Sequence, residues 1–385
     1  MKKFLALLLV VVFGFCTFFL TGCKKSGNEI VIGMSGPLTG GAAVYGVAVM
    51  NSAQLAVDEI NEAGGVNGYK LRLEALDDMH DATKVSTNYA TLLEKGMQVS
   101  LGCVTTKPCL EFAKLSKEDN VFFLAPSATG DKVVEGDNAY QMCFADTRQG
   151  TFSARYVNEN VSKDTKIGIL YRSGDEYSEG IYNKFVAELD KGFTKVVASF
   201  NEDTPADLSS QVELLKDCKF IFLPIYYTPA SIFMKQAVGK VASDAIYFGC
   251  DGLDGIDTSI EGFDINTIPQ EVSYLSHFNS KATSGAAKEF IDKYVAKYGS
   301  TTLNQFGASA YDCVYALAAA LKKIAEKDAK AVTPDAKPAD LCRLLQAEFN
   351  GDFKFSGVTG TNVTWTSEGF VDKQAVKYIV KEKSK

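Results

Sequence analysis

Hydroxyl-bearing residues follow two of the apolar segments that we predict to be buried strands. Thr105 and Thr106 lead from one such segment into a predicted helix, and Ser127 and Thr129 follow the next segment. A hydroxyl at a helix start, together with the free backbone N–H groups there, suits a carboxylate. Each pair taken alone is more often a plain helix cap or a turn. Together they indicate a polar site for a small ligand.

Acidic and phenolic side chains occupy the corresponding loops in the second half of the chain. Tyr177 precedes a predicted helix, Tyr227 follows a predicted strand, and Asp251 lies in a Gly-Cys-Asp-Gly turn. Singly, such residues are usually solvated tyrosines or ordinary turns. A zwitterion, however, needs donors for its carboxylate and acceptors for its ammonium, and the two halves would supply both. The loops therefore favour an amino acid over a neutral sugar.

These loops need a scaffold that brings them together, and the hydrophobic pattern predicts one. Short apolar strands alternate with amphipathic helices, which is typical of parallel β-α-β units, and the pattern restarts after Gly150. The strands are predicted at 29–33, 71–76, 99–102, 121–124, 167–171, 196–200, 220–223, 245–248 and 375–380. In open parallel sheets ligands bind beyond the carboxyl ends of the strands, where these loops lie.

Composition excludes several other functions. The 385 residues fit two domains, and 46% hydrophobic with 23% charged residues is typical of a globular protein. A net charge of −7 without a basic run argues against nucleic-acid binding. Two histidines exclude a His-rich metal site, and we expect no metal and no cofactor. The sequence lacks GxSxG, GxGxxG and Walker-type motifs, so we do not expect an enzyme.

The first residues predict export. Lys2 and Lys3 precede an apolar stretch at 4–20, and Leu-Thr-Gly-Cys ends at Cys23. A membrane-spanning anchor is the alternative, since the stretch is about as long as a short span. The Leu-Thr-Gly-Cys ending resembles the bacterial lipoprotein processing box, which implies a signal peptide at 1–22, acyl chains on Cys23 and a lipidated tether at 23–28. The protein would then be extracytoplasmic and held to a bacterial membrane.

The loops and the segments around them resemble the binding proteins for leucine, isoleucine and valine, which are type I periplasmic solute-binding proteins of ABC importers. The most specific match is Asn-Glu-Ala-Gly-Gly-Val-Asn-Gly at 61–68, followed by Asp77 and Asp78. Further matches are Ile-Gly-Met-Ser-Gly-Pro-Leu at 32–38, Ala-Pro-Ser-Ala-Thr at 125–129, Tyr-Ser-Glu-Gly at 177–180, Gly-Cys-Asp-Gly at 249–252 and Val-Thr-Trp at 363–365. The resemblance spans almost the whole chain after the tether.

The resemblance implies a ligand-binding role for nine residues. Thr106, with Thr105 beside it, would bind the ligand carboxylate, the Ser127 carbonyl would receive the ammonium, and the Thr129 hydroxyl would bridge both groups. Asp251 would face the ammonium, where the leucine-type proteins carry Glu. The aromatic lining would consist of Tyr45, Tyr177, Tyr227 and Phe306.

Seven cysteines remain besides Cys16 and Cys23, and an odd number cannot all pair. Cys103 and Cys109 are close enough in sequence to form a bridge in an oxidising compartment. The family's disulfide near the site would use positions that His80 and Thr105 hold here, so that bridge is absent. A Cys103–Cys109 bridge could replace it, or both thiols could be buried and free.

The resemblance also implies the architecture and the partners. We expect an α/β protein of the type I periplasmic binding fold, with two Rossmann-like lobes joined by three crossing strands near 145–150, 273–279 and 366–370. Lobe I would comprise 29–146 plus 277–367, and lobe II 147–276 plus 368–385. A monomer would close on an amino acid, branched-chain or otherwise apolar, and deliver it to ABC permease subunits. The alternative is a sensor of the same fold that signals to a membrane partner.

Overall fold

The computed structural model describes residues 27–203, 205–258 and 262–384. The predicted signal peptide, Cys23 and most of the predicted tether lie outside these ranges. None of the helices within them combines the length and the apolar character that crossing a bilayer requires.

The first lobe is built on a five-stranded parallel sheet with the strand order β2-β1-β3-β4-β5. Its strands are β1 (Glu29–Gly36), β2 (Lys70–Asp77), β3 (Met97–Cys103), β4 (Phe123–Ala125) and β5 (Ala139–Gln141). Its first helices are α1 (Ala43–Glu62), α2 (Val85–Glu94) and α3 (Thr106–Asp119). Every residue of β3 is buried, as expected for a central parallel strand that helices cover on both faces.

The second lobe is built on a six-stranded sheet with the order β11-β10-β9-β8-β6-β7. Its strands are β6 (Ile167–Arg172), β7 (Lys195–Phe200), β8 (Phe220–Leu223), β9 (Ile246–Gly249), β10 (Glu271–Ser276) and β11 (Val376–Lys381). Its helices are α4 (Asp146–Asn160), α5 (Glu176–Glu188), α6 (Ser209–Leu215) and α7 (Tyr227–Ala237). Only the edge pair β10–β11 is antiparallel within the described residues.

Three later helices return to the first lobe. They are α8 (Gly285–Tyr298), α9 (Gln305–Lys327) and α10 (Pro338–Phe349), and α9 packs along α1. Val314, Leu317, Leu321 and Ile324 form the apolar stripe of α9, and all four are buried. This stripe therefore belongs to the core, and it fixes the orientation of α9, whose first turn reaches the interlobe space.

The chain passes between the lobes three times, and two predicted crossing strands are wrong. The segment 145–150 is not a strand, because α4 begins at Asp146 with an acidic first turn. Residues 366–370 form a turn in which the Thr366 N–H donates to the Phe370 carbonyl, beside an isolated bridge between Trp365 and Val371. The second crossing follows β10, which ends at Ser276. The predicted boundaries 146/147, 276/277 and 367/368 remain a prediction.

Trp365 lies beside the first crossing. Its indole Nε1 donates to the Gln141 carbonyl at 2.7 Å, at the end of β5. Its ring packs on Phe349, with the ring centroids 4.6 Å apart, and stacks on Phe353. The side chain is almost fully buried, so this contact joins α10 to the strand from which the chain leaves the first lobe.

Candidate functional site

The strand ends of both lobes enclose a narrow cavity with a free volume of about 10 Å³. Its lining from the first lobe is Tyr45, Val104, Thr105, Thr106, Ser127, Thr129 and Phe306, and from the second lobe Tyr177, Tyr226, Asp251 and Gly252. All the predicted ligand-binding residues except Tyr227 therefore surround one cavity. Its position at the carboxyl ends of parallel strands is the place where open α/β sheets bind ligands.

The two threonines mark the junction of β3 and α3. Thr105 has an extended backbone and directly precedes the helix, which begins at Thr106. Thr105 therefore holds the capping position, and Thr106 is the first helical residue. The Thr105 hydroxyl pairs with Nδ1 of His80 at 2.8 Å, and the Thr106 hydroxyl accepts the Gly130 N–H at 3.3 Å. The first N–H groups of α3 have no intrahelical acceptor, which makes this helix start suitable for a carboxylate.

Ser127 and Thr129 follow β4 and differ in what they can offer a ligand. The Ser127 hydroxyl donates to the Val104 carbonyl at 2.7 Å, so this side chain is already engaged within the first lobe. The Thr129 side chain hydrogen-bonds the carboxyl of Asp146, whose backbone N–H donates to the Thr129 carbonyl at 2.8 Å. Ser127 can therefore contribute its backbone carbonyl, and Thr129 its hydroxyl oxygen.

Asp251 lies just after β9 and is almost completely buried. Its Oδ1 accepts the Tyr177 hydroxyl at 2.8 Å, and its backbone N–H donates to Oε1 of Gln149 at 3.0 Å. Burial raises the pKa of this carboxyl to about 7, and the hydrogen bonds from Tyr177 and Gln149 oppose that shift. A side chain on residue 252 would place a Cβ 2.6 Å from the Tyr177 hydroxyl, so glycine there permits this contact.

A second buried acid, Asp146, was missed by the sequence analysis. It opens α4, where its Oδ1 accepts Nε2 of Gln149 at 3.4 Å. Burial raises the pKa of Asp146 well above its ordinary value, and the charge of Asp251 raises it further. Asp146 opens a polar run, which is typical of a helix start. The prediction of a crossing strand at 145–150 was incompatible with that pattern, so the residue was not considered.

The cavity thus has two buried carboxyls close to it and no cationic side chain among the described residues of its lining. A buried carboxylate without a positive partner is costly, and it tends to be protonated or to bind a cation. An ammonium group entering the cavity would supply that partner. The hydroxyls and the helix start on the opposite lobe suit a carboxylate.

Four aromatic residues close the cavity, and Tyr226 is one of them, whereas the adjacent Tyr227, for which a binding role is predicted, does not line it. Tyr226 lines the cavity and stacks on Tyr177, with centroids 4.6 Å apart and planes inclined by 7°. Tyr227 lies behind Tyr45, with the ring centroids 4.9 Å apart and its hydroxyl accepting the Val44 N–H. Tyr226 has an extended backbone just before α7, whereas Tyr227 is the first helical residue, so their side chains leave in different directions.

The lobes also touch around the rim of the cavity. The Thr228 hydroxyl donates to the Gly41 carbonyl at 2.7 Å, and the Gln305 N–H donates to Oδ2 of Asp254 at 2.9 Å. Nε2 of His80 lies 3.4 Å from the Asp203 carboxylate. These bonds join opposite lobes, so the structure has a closed cleft from which a ligand could leave only after the lobes separate.

The cysteines do not form the bridge that the sequence left open. Cys103, Cys109 and the other five cysteines of the described ranges are buried and free. Burial raises the pKa of the Cys103 thiol well above its ordinary value, which makes it a poor nucleophile. No group of metal-ligating side chains was found among the described residues.

Comparison with known proteins identifies the family. A family model described as periplasmic binding protein matches residues 29–380. Leu/Ile/Val-binding protein BraC3 of Rhizobium johnstonii is 29% identical over 310 residues, which cover 79% of this chain and 82% of that protein. The crystal structure of the branched-chain amino acid transporter substrate-binding protein LivJ from Streptococcus pneumoniae, in complex with isoleucine, has a TM-score of 0.74. It is 26% identical and covers 91% of this chain and 100% of its own.

A leucine-binding protein, LivK from Thermotoga maritima, shares the fold with a TM-score of 0.77 at 23% identity, covering 92% of this chain and 96% of its own. The two α/β lobes described above are therefore those of a type I periplasmic binding fold. The chain belongs to the periplasmic binding protein family, whose members are solute-binding proteins and not enzymes.

Proposed function

We propose that this protein is the substrate-binding protein of an ABC importer for an amino acid, which the relatives would make branched-chain or otherwise apolar. The observation that carries the proposal is the buried Asp251, held by Tyr177 and Gln149 at a cavity without a cationic side chain in its described lining. A ligand ammonium would satisfy this carboxylate, and the helix start at Thr106 would bind the ligand carboxylate.

The closed cleft supports a capture mechanism in two steps. In the open protein a ligand would first meet the first-lobe groups, which are the start of α3, the Ser127 carbonyl and the Thr129 hydroxyl. Closure would then add Tyr177 and Asp251 from the second lobe. Each cross-lobe bond, such as that of Thr228 with Gly41, would stabilise the closed form that a permease recognises.

We further propose an extracytoplasmic lipoprotein that acts as a monomer beside ABC permease subunits in the membrane. The acyl chains on Cys23 would hold it there, since a protein retained by several chains does not need a membrane-spanning helix. Bacteria that express the full-length chain and are fed a labelled fatty acid should incorporate the label into the wild type and not into a Cys23→Ser variant. An unlabelled wild type, or equal labelling of the variant, would contradict lipidation at Cys23.

Ligand binding is tested on residues 24–385 after unfolding and refolding to remove copurified ligand. Thermal shifts are recorded against the twenty amino acids, simple amides, sugars and nucleosides, because a ligand that binds the native state raises the unfolding midpoint. At least one amino acid should raise the midpoint of the wild type and raise that of Asp251→Asn much less. A shift with sugars, amides or nucleosides but no amino acid would refute the proposal.

A further inference from the structure

Apart from its polar groups, the cavity is lined mainly by aromatic rings. Tyr45 packs edge-on against Phe306, with centroids 4.8 Å apart, and tilts against Tyr226 at 5.8 Å. Tyr226 in turn stacks on Tyr177. Val104 is the only aliphatic side chain in the described lining. The rings are therefore in mutual contact, and a ligand side chain finds little aliphatic surface between them.

The size of the cavity agrees with this arrangement. Its free volume in the closed protein is about 10 Å³, roughly the room that one water molecule needs. Any ligand must therefore displace part of the lining, and a larger side chain must displace more of it. Hydroxyl groups make up much of that lining.

Contacts across the cleft resist enlargement of the cavity. The Tyr45 hydroxyl donates to the Gly252 carbonyl and accepts the Tyr227 N–H at 3.3 Å, so moving its ring breaks two bonds between the lobes. Tyr226 rests on Tyr177, whose hydroxyl binds Asp251. A bulky ligand side chain would therefore disturb the same groups that close the lobes and hold the proposed ammonium acceptor.

We propose that the ligand is an amino acid with a small side chain, such as glycine, alanine or serine, and that Tyr45, Tyr226 and Phe306 set this limit. The inference rests on the proposed function and specifies the size of its ligand, which differs from the branched-chain amino acids for which BraC3 and LivJ are named. The hydroxyls near the cavity could also hydrogen-bond a serine side chain, which an aliphatic lining could not do.

Calorimetric titration of the ligand-free protein with glycine, alanine, serine, valine, leucine and isoleucine tests the inference. At least one of the first three should bind at least tenfold more tightly than each branched-chain amino acid. Tyr226→Ala should reduce that preference at least tenfold by opening space beside Tyr45. Tyr182→Ala is the matched control, because Tyr182 stacks on Tyr171 and does not line the cavity.

The outcomes separate this inference from the proposed function. Leucine, isoleucine or valine binding more tightly than all three small amino acids would overturn the size limit and leave the proposed function standing. An unchanged preference in a folded Tyr226→Ala variant would overturn the role of the aromatic rings. If Tyr226→Ala does not fold, the wild-type ranking alone decides the size limit. Binding of none of these six, with no thermal shift from any of the twenty amino acids, would instead refute the proposed function.

Discussion

Replacing Asp251 by Asn should make the ligand-free protein more stable while weakening ligand binding. Burial raises the pKa of the Asp251 carboxyl from its ordinary value of 3.8 to about 7. Folding therefore favours the protonated carboxyl. Between pH 3.8 and pH 7 the folded protein keeps this proton, whereas the unfolded chain has already lost it. The contribution of the Asp251 carboxyl to the free energy of unfolding therefore falls as the pH rises through this range. The full penalty for the ionised group above pH 7 is about 4 kcal/mol.

Asn is uncharged at every pH and can still accept the Tyr177 hydroxyl through its amide oxygen. The variant should therefore unfold at a higher temperature than the wild type at pH 8, and this advantage should shrink at pH 5. Its ligand affinity at pH 8 should fall, because a hydrogen bond to a charged group contributes about 1.5–3 kcal/mol. That range corresponds to a loss of roughly tenfold to more than a hundredfold.

Differential scanning calorimetry of both ligand-free proteins at pH 5 and pH 8, with titration calorimetry at pH 8, measures the two effects. The expected rise in stability and fall in affinity distinguish this explanation from damage to the fold, since a substitution that merely damaged the fold would lower both stability and affinity. A variant that is less stable than the wild type at pH 8 would refute the burial argument. Unchanged affinity would mean that Asp251 is a turn residue without a role in binding.

Three further predictions follow from the same contacts. Wild-type affinity should fall about tenfold for each pH unit below 7, because protonation of Asp251 competes with binding of the ligand ammonium. Titrations from pH 8 to pH 5 measure this dependence, and an affinity that does not change with pH would mean that another group binds the ammonium. Thr129→Val should weaken ligand binding several-fold through the loss of one hydrogen bond. Lys107 is exposed, so Lys107→Ala should change the dissociation constant little. Equal effects of the two substitutions would argue against a role for the Thr129 hydroxyl. Thr228→Val removes the donor to the Gly41 carbonyl and should speed ligand dissociation with little change in association, which stopped-flow kinetics would contradict if the dissociation rate stayed the same.

Apolar runs made much of the fold predictable from the sequence. The strand predicted at 220–223 has those bounds in the structure, because its continuous apolar residues are buried on both faces. β5 has only three residues, too few for a recognisable pattern. Helix α4 was missed because Gly150 was interpreted as a break. A Cβ on Gly150 would lie 2.7 Å from that of Lys184, so this glycine permits close packing of α4 against α5.

Part of the candidate site was predictable, because strand ends and the family resemblance indicate which loops face a ligand. They indicated Asp251 and the two hydroxyl-bearing loops. They did not distinguish Tyr226 from Tyr227, because that choice depends on which residue begins α7. Asp146 was missed for a related reason, since its proximity to the cavity follows from where α4 starts. Both failures concern helix boundaries, which local sequence preferences determine only approximately.

Trp365 is the only tryptophan in the sequence, which makes the fluorescence of the protein simple to interpret. All tryptophan fluorescence of the protein must therefore come from one buried indole whose Nε1 binds the Gln141 carbonyl, where the chain leaves the first lobe. A change in emission on adding a ligand can be assigned to this crossing without a label or a second chromophore. The protein thus carries an intrinsic fluorescent probe close to one of the connections between its lobes.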